Sequence, residues 1–233
     1  MKESESIRML DEAIKESYRY IRPLHYVEPV NASEQREAFL RGDIREPDFI
    51  YREVGYNPET VLQKLDEIEV PDNGIGKILS REKKRTKLEN EVITNLGNKD
   101  KVRQATVGMH GMPDRELVNM AQQILTGPEP QEEEEKTVSA HTIKESLEGE
   151  LMSLGIKDWS IDLVSKRLTT VDSTNKRVTI CKDRLFSEID IERLKVHEIG
   201  VHVLRGVNGF MQPYKVFSSG LPGYLSTEEG MAI

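Results

Sequence analysis

A single cysteine, Cys181, stands in a chain of 233 residues, so no disulfide can form within it and the fold must be held by packing alone. A lone thiol suits a reducing compartment, and a cytoplasmic protein is expected. The N-terminal run MKESESIRMLDEAIKES is charged throughout and lacks the apolar centre of a secretion signal. No stretch approaches the roughly 20 apolar residues that span a bilayer, so no membrane partner is expected. Positive charge is in deficit: 33 basic residues face 41 acidic ones, a net charge of −8, which argues against nucleic acid or an anionic membrane as the partner of the whole chain.

The chain is long enough for one good core or two small ones. Its first half reads as helices. Ile7, Leu10, Ala13, Ile14 and Tyr18 form an amphipathic opening. Asn31 is placed to cap a following helix, with Glu34 closing a capping box. Pro47 to Tyr51 reads as extended, and Asn57-Pro58 starts a helix carrying Val61, Leu62, Leu65 and Ile68. Further helices are expected from Ile75 to about Leu96 and from Pro113 to Leu125. Residues 1–126 therefore form a mainly helical region. The run GPEPQEEEEK then marks an acidic linker or loop over 127–138, whose Glu132–Glu135 stretch reads as solvating. The third region, 139–233, opens with a helix bearing Ile143, Leu147, Leu151 and Leu154 on one stripe and ending at Gly155.

After Gly155 the period changes from helical to alternating. Trp159 to Leu163, Arg167 to Val171 and Arg177 to Cys181 read as strands, with a turn at Asp172 to Asn175. The expectation is an α+β chain with a small antiparallel sheet ahead of one last long helix. Ser187 is the expected N-cap of that helix, with Asp190 at the third position, a Phe186–Ile191 staple, and Gly206 just past the last turn.

That helix contains His197-Glu198-Ile199-Gly200-Val201-His202. Two histidines with a glutamate directly after the first are the residue types of a hydrolytic zinc site. The common spacing between the histidines is four residues, which puts both on one helix face; here it is five. On an ideal α-helix an i,i+5 pair is turned roughly 140° apart, too far to grip one ion at about 2.0–2.1 Å. A metal site therefore requires a distortion, and a π-bulge with i→i+5 hydrogen bonding supplies it, with Gly200 tolerating the bulge most easily. His197 and His202 would be two ligands, and Glu198 a general base beside the bound water. A third ligand must come from elsewhere, and Glu228 and Glu229 are offered downstream. A distant glutamate completing a His₂Glu set is the gluzincin pattern. The plainer alternative is a buried helix with two hydrogen-bonded histidines. His25, His110 and His141 are scattered and are not expected to be ligands.

The segment from His197 to Ile233 closely resembles the zinc-binding region of the flavohemoglobin expression-modulating QEGLA-motif proteins, a family that includes the microtubule-associated tyrosine carboxypeptidases. The resemblance rests on HEIGVH with its five-residue step, Leu204-Arg205, Asn208-Gly209, Gln212-Pro213, Gly220-Leu221, Gly223-Tyr224-Leu225 and Thr227 to Ala232. Looser matches at Pro29 to Asn31, Pro47 to Tyr51, Gly111 to Asp114 and Trp159 extend it over nearly the whole chain. It implies a zincin-like carboxypeptidase that removes an aromatic residue from a peptide or protein C-terminus. Zn²⁺ would be held by His197, His202 and Glu229, with Glu198 as base. Glu228 stands where the family's name has glutamine. Family members continue past this motif, whereas the chain stops at Ile233, so a truncated or short form is expected. An inactive relative with a regulatory or interaction role is the alternative.

Arg205 and Lys215 are the cations near the motif that could hold a substrate carboxylate, and Tyr224 could donate to an oxyanion. Packing or surface roles are the simpler reading for all three. The basic run Arg81 to Lys87 is interleaved with Glu82 and followed by Glu89 and Glu91, so a solvated helix face is expected there rather than a nucleic-acid surface. Cys181 reads as a small apolar residue.

Overall fold

The computed structural model describes residues 3–128, 135–165 and 169–232. Most of the acidic Glu132–Glu135 run, Arg167 at the start of the second expected strand, and Ile233 lie outside the described residues. The chain is α+β and forms two compact units, Met1–Pro113 and Asp114–Ile233.

The first unit is helical: α1 (Glu3–Ser17), α2 (Pro23–Tyr26), α3 (Ala32–Arg41), α4 (Pro58–Asp66), α5 (Gly74–Thr94) and α6 (Lys99–His110). The helix α5 is its axis, with α1, α2, α4 and α6 packed on it. Ile7, Leu10 and Ile14 bury one stripe of α1, as their spacing predicts. Asn57 caps α4 through Thr60 N–H, and Pro58 occupies the first turn, where no backbone donor is lost. The capping box expected of Asn31 and Glu34 does not form. The Asn31 amide instead donates to the Asp48 carbonyl at 2.8 Å and accepts from Ile50 N–H at 2.9 Å, pinning the extended piece 47–51 alongside. An asparagine offers the same two groups as a peptide unit, so it can serve a strand-like partner as well as a helix end.

The second unit contains α7 (Arg115–Thr126), α8 (Ala140–Ser153), β1 (Ser160–Val164), β2 (Thr170–Asp172), β3 (Arg177–Cys181), α9 (Glu188–Leu194), a π-helix (Lys195–Val203), α10 (Leu204–Phe210), α11 (Val216–Ser219) and α12 (Leu225–Met231). The sheet order is β1-β3-β2. It is mixed, not wholly antiparallel as expected: β2 runs antiparallel to β3 through the Asp172 to Asn175 turn, while β1 pairs with β3 in parallel, Ser160 opposite Arg177. Alternating residues reveal a strand but carry no information on its direction, which is set by how the chain returns to the sheet.

One core joins Ile143, Leu147 and Leu151 of α8, Trp159, Ile161, Val178 and Ile180 of the sheet region, and Ile199 and Val203 of the π-helix. Through it the metal-type motif is seated on sheet and helix together. At the start of α9, Asp190 accepts from Ser187 N–H at 2.9 Å and completes the expected capping box. Gly206 is not a helix stop. It lies inside α10, where a Cβ would stand 2.9 Å from Ser173 Oγ and 3.1 Å from Trp159 Cζ2, so its bareness lets the helix approach the sheet end. Among the described residues no helix is long and apolar enough to cross a membrane.

Candidate metal centre

Residues 195–203 are wound as a π-helix, and this resolves the spacing problem of the motif. The His197 and His202 rings come together with centroids 4.9 Å apart and planes inclined at 68°. The wide turn is held by burial on its other side, where Ile199 and Val203 are wholly enclosed by the core. Gly200 has a smaller part than expected. It is exposed, and a Cβ there would meet only the Lys195 carbonyl oxygen, at 3.6 Å, an ordinary contact.

Donor atoms of His197, Glu198 and His202 all lie within 4.8 Å of one another. The short helix α12 closes the arrangement from the other side. One Glu229 carboxylate oxygen stands 3.8 Å from His197 Nε2 and the other 3.8 Å from His202 Nε2. Ligands about 2.0–2.2 Å from a tetrahedral ion stand roughly 3.3–3.6 Å from each other, so the Glu229 carboxylate stands only a few tenths of an ångström beyond that spread from each imidazole. Two neutral nitrogens and one carboxylate form a donor set of intermediate softness, suited to zinc rather than to the all-oxygen shells of calcium or magnesium.

The remaining ring nitrogens have fixed partners. His197 Nδ1 lies 3.0 Å from the Ala232 carbonyl oxygen, and His202 Nδ1 lies 2.8 Å from Glu228 Oε1. Both partners are acceptors, which assigns the proton of each neutral ring to Nδ1 and leaves the Nε2 lone pairs facing Glu229. Glu198 is buried, and its affinity for a proton is raised above that of an ordinary glutamate chiefly by burial. The two histidines pull it down and Glu229 pushes it up.

The two glutamates offered by the sequence thus have different positions: Glu229 faces both Nε2 atoms, and Glu228, next to it but about 100° around the helix, turns inward. Arg205 is also turned inward, its Nε donating to Glu228 Oε1 at 3.0 Å and its Nη1 to the Ser218 carbonyl at 2.6 Å. Its guanidinium lies 5.5 Å from the Tyr224 ring centre, and Tyr224 fills the space over Gly220, where a Cβ would come within 2.6 Å of the ring. Lys215 is exposed at the residue before α11, and its side chain does not cap that helix. His25, in the first unit, lies against Tyr26, while His110 and His141 are exposed on α6 and α8.

Comparison with known families matches residues 37–233 to the microtubule-associated tyrosine carboxypeptidase model. The chain belongs to that family. The match spans everything from the middle of α3 onward, including the π-helix and α12, and the family's name makes the chain a carboxypeptidase by kinship. Comparison with curated proteins and with solved structures gives no match. Of this family member's site, Glu228 is the residue the sequence offered only as an alternative third ligand, with no sign of its contact to the back of His202. The signal was its place one step from Glu229 on the same turn, which cannot by itself say which of two neighbours points in.

Proposed function

We propose that this carboxypeptidase is zinc-dependent and hydrolyses the bond before a C-terminal aromatic residue, tyrosine or phenylalanine, of a peptide or protein. The observation that carries the reading is the convergence of His197 Nε2, His202 Nε2 and the Glu229 carboxylate, with the buried Glu198 carboxyl beside them. His197, His202 and Glu229 are the three residues that would hold the ion. What zinc supplies when bound there is polarisation of the scissile carbonyl and a lowered pKa for the attacking water.

The work of Glu198 is proton transfer. Its carboxylate takes a proton from the water whose oxygen attacks the carbonyl carbon. It then returns that proton to the nitrogen of the departing residue as the carbon–nitrogen bond breaks. Burial raises its proton affinity toward that of the groups it serves, which suits a carboxyl that must both accept and release. Preference for an aromatic terminus is taken from the family name, and the substrate is therefore a protein or peptide tail.

The test is a panel of peptides identical except for the last residue, Tyr, Phe, Leu, Ala or Glu, incubated with the zinc-loaded protein and read by mass. Release of Tyr or Phe faster than of the others supports the reading. Internal cleavage, or release that ignores the last side chain, overturns the carboxypeptidase specificity proposed.

A further inference from the structure

The donor set is completed by one short helix, α12, and that helix also touches both histidines from behind. Ala232 contributes a backbone carbonyl to His197, and Glu228 a side chain to His202. Glu228 is 6% exposed, too deep for a glutamate without partners. Its Oε1 lies 2.8 Å from His202 Nδ1 and accepts from Arg205 Nε–H at 3.0 Å, while its Oε2 is buried with no hydrogen-bond partner among the described residues. The same Arg205 reaches the Ser218 carbonyl of α11. Gly209 of α10 lets α11 come that close, since a Cβ there would be 2.2 Å from the Phe217 carbonyl oxygen. A connected line thus runs from α11 through Arg205 and Glu228 to the back of the His202 ring.

We infer that Glu228 is the positioning residue of this site: it holds His202 as the Nδ1–H tautomer with Nε2 aimed at Glu229, and Arg205 holds Glu228 in turn. A ring released from that acceptor is free to place its proton on Nε2, the nitrogen that must be bare to bind an ion. Arg205 thereby acts within the protein and not on a substrate carboxylate. Because both donors converge on Oε1, an amide oxygen can replace it. Glu228→Gln would keep both hydrogen bonds and put its NH₂ group where Oε2 already lacks a partner. Glu228→Met keeps the volume and loses both bonds. This inference rests on the metallopeptidase reading for its purpose, but the tautomer exists in the metal-free protein and can be read there.

The experiment is ¹⁵N–¹H correlation of the imidazoles in metal-free protein about two pH units above the ordinary histidine pKa. It is done on wild type, Glu228→Gln and Glu228→Met, and is followed by zinc affinity from chelator competition. The expected result is Nδ1–H at His202 in wild type and in Glu228→Gln, and loss of that single tautomer in Glu228→Met. Zinc affinity should stay within about tenfold in the amide variant and fall about 10- to 100-fold in Glu228→Met. Nδ1–H retained in Glu228→Met, or Nε2–H already present in the wild type, overturns the inference. The wild-type spectrum alone decides if Glu228→Met does not fold. A wild type that shows the Nδ1–H tautomer yet binds no zinc would count against the metallopeptidase reading and leave the positioning role of Glu228 intact.

Discussion

Each unit of this protein buries glutamates on helices, and the two sets behave differently. In the first unit, Glu82 of α5 is wholly enclosed, accepts from the Tyr18 hydroxyl of α1, and pairs with Arg85 at 2.8 Å. Arg85 also reaches Glu89 at 3.4 Å, so one cation serves two carboxyls. That cluster pairs within itself around one cation, although Glu82 Oε2 is buried without a hydrogen-bond partner among the described residues. In the second unit, Glu198 and Glu228 are also buried, but their neighbours are imidazoles whose Nε2 atoms face the half-exposed Glu229. A buried carboxyl is therefore no sign of a site. What separates the two clusters is whether the carboxyls share a cation of their own or face ring nitrogens gathered on a common point.

The largest expected effect falls on the second cluster. Glu198→Gln should lower turnover of a Tyr-ending peptide by about 10²- to 10⁴-fold while zinc content is unchanged, and Glu82→Gln should leave turnover alone. If Glu82→Gln cost as much as Glu198→Gln, the contrast between the two clusters would fail. Next in size is Arg85→Met, which leaves the buried Glu82 and the half-buried Glu89 without their cation and should destabilise the first unit by about 3–5 kcal/mol, seen by chemical denaturation, with zinc affinity unaltered.

The pH response of the first cluster has a defined sign. Burial, the larger cause, raises Glu89 from 4.5 to about 7; Glu82 adds to the rise and Arg85 opposes it. The folded form thus binds its proton more tightly than the unfolded form does. Its stability is full below about pH 4.5 and is lost as the pH rises through about 7. Denaturation of the first unit at pH 5 and pH 8 should differ by roughly 2.5 kcal/mol from this group, and Glu89→Gln should flatten the difference. The smallest effects test the helix itself. Gly206→Ala should cost about 1–3 kcal/mol through its clash with Ser173 and Trp159. Gly200→Ala, where the new methyl group would make only an ordinary contact on the same continuous helix, should be neutral or stabilise by up to about 1 kcal/mol. Equal losses at both would mean that the π-helix depends on Gly200 after all.

Much of this was legible in the sequence where a local rule decides the outcome. The caps at Asn57 and Ser187, the apolar stripe of α8 and the five-residue step that demands a π-helix all follow from residue type and spacing. Where a long-range partner decides, the sequence was silent. Asn31 bonds a strand-like segment and does not cap, Gly206 admits a sheet end and does not stop a helix, and β1 returns parallel to β3. The helix α6 was missed because its stripe is weak, with Ala105 its one buried residue. At the site, spacing alone offered both Glu228 and Glu229, the family resemblance singled out Glu229, and the fold added that Glu229 faces the rings while Glu228 lies behind one of them.

The most direct test is the zinc bound per chain after dialysis, measured by elemental analysis of the wild type beside Glu229→Ala and Glu82→Ala. One ion per chain in wild type and Glu82→Ala, with strong depletion in Glu229→Ala, is the result expected if the open cluster is the metal centre. No zinc in the wild type, or zinc indifferent to Glu229, would contradict that assignment.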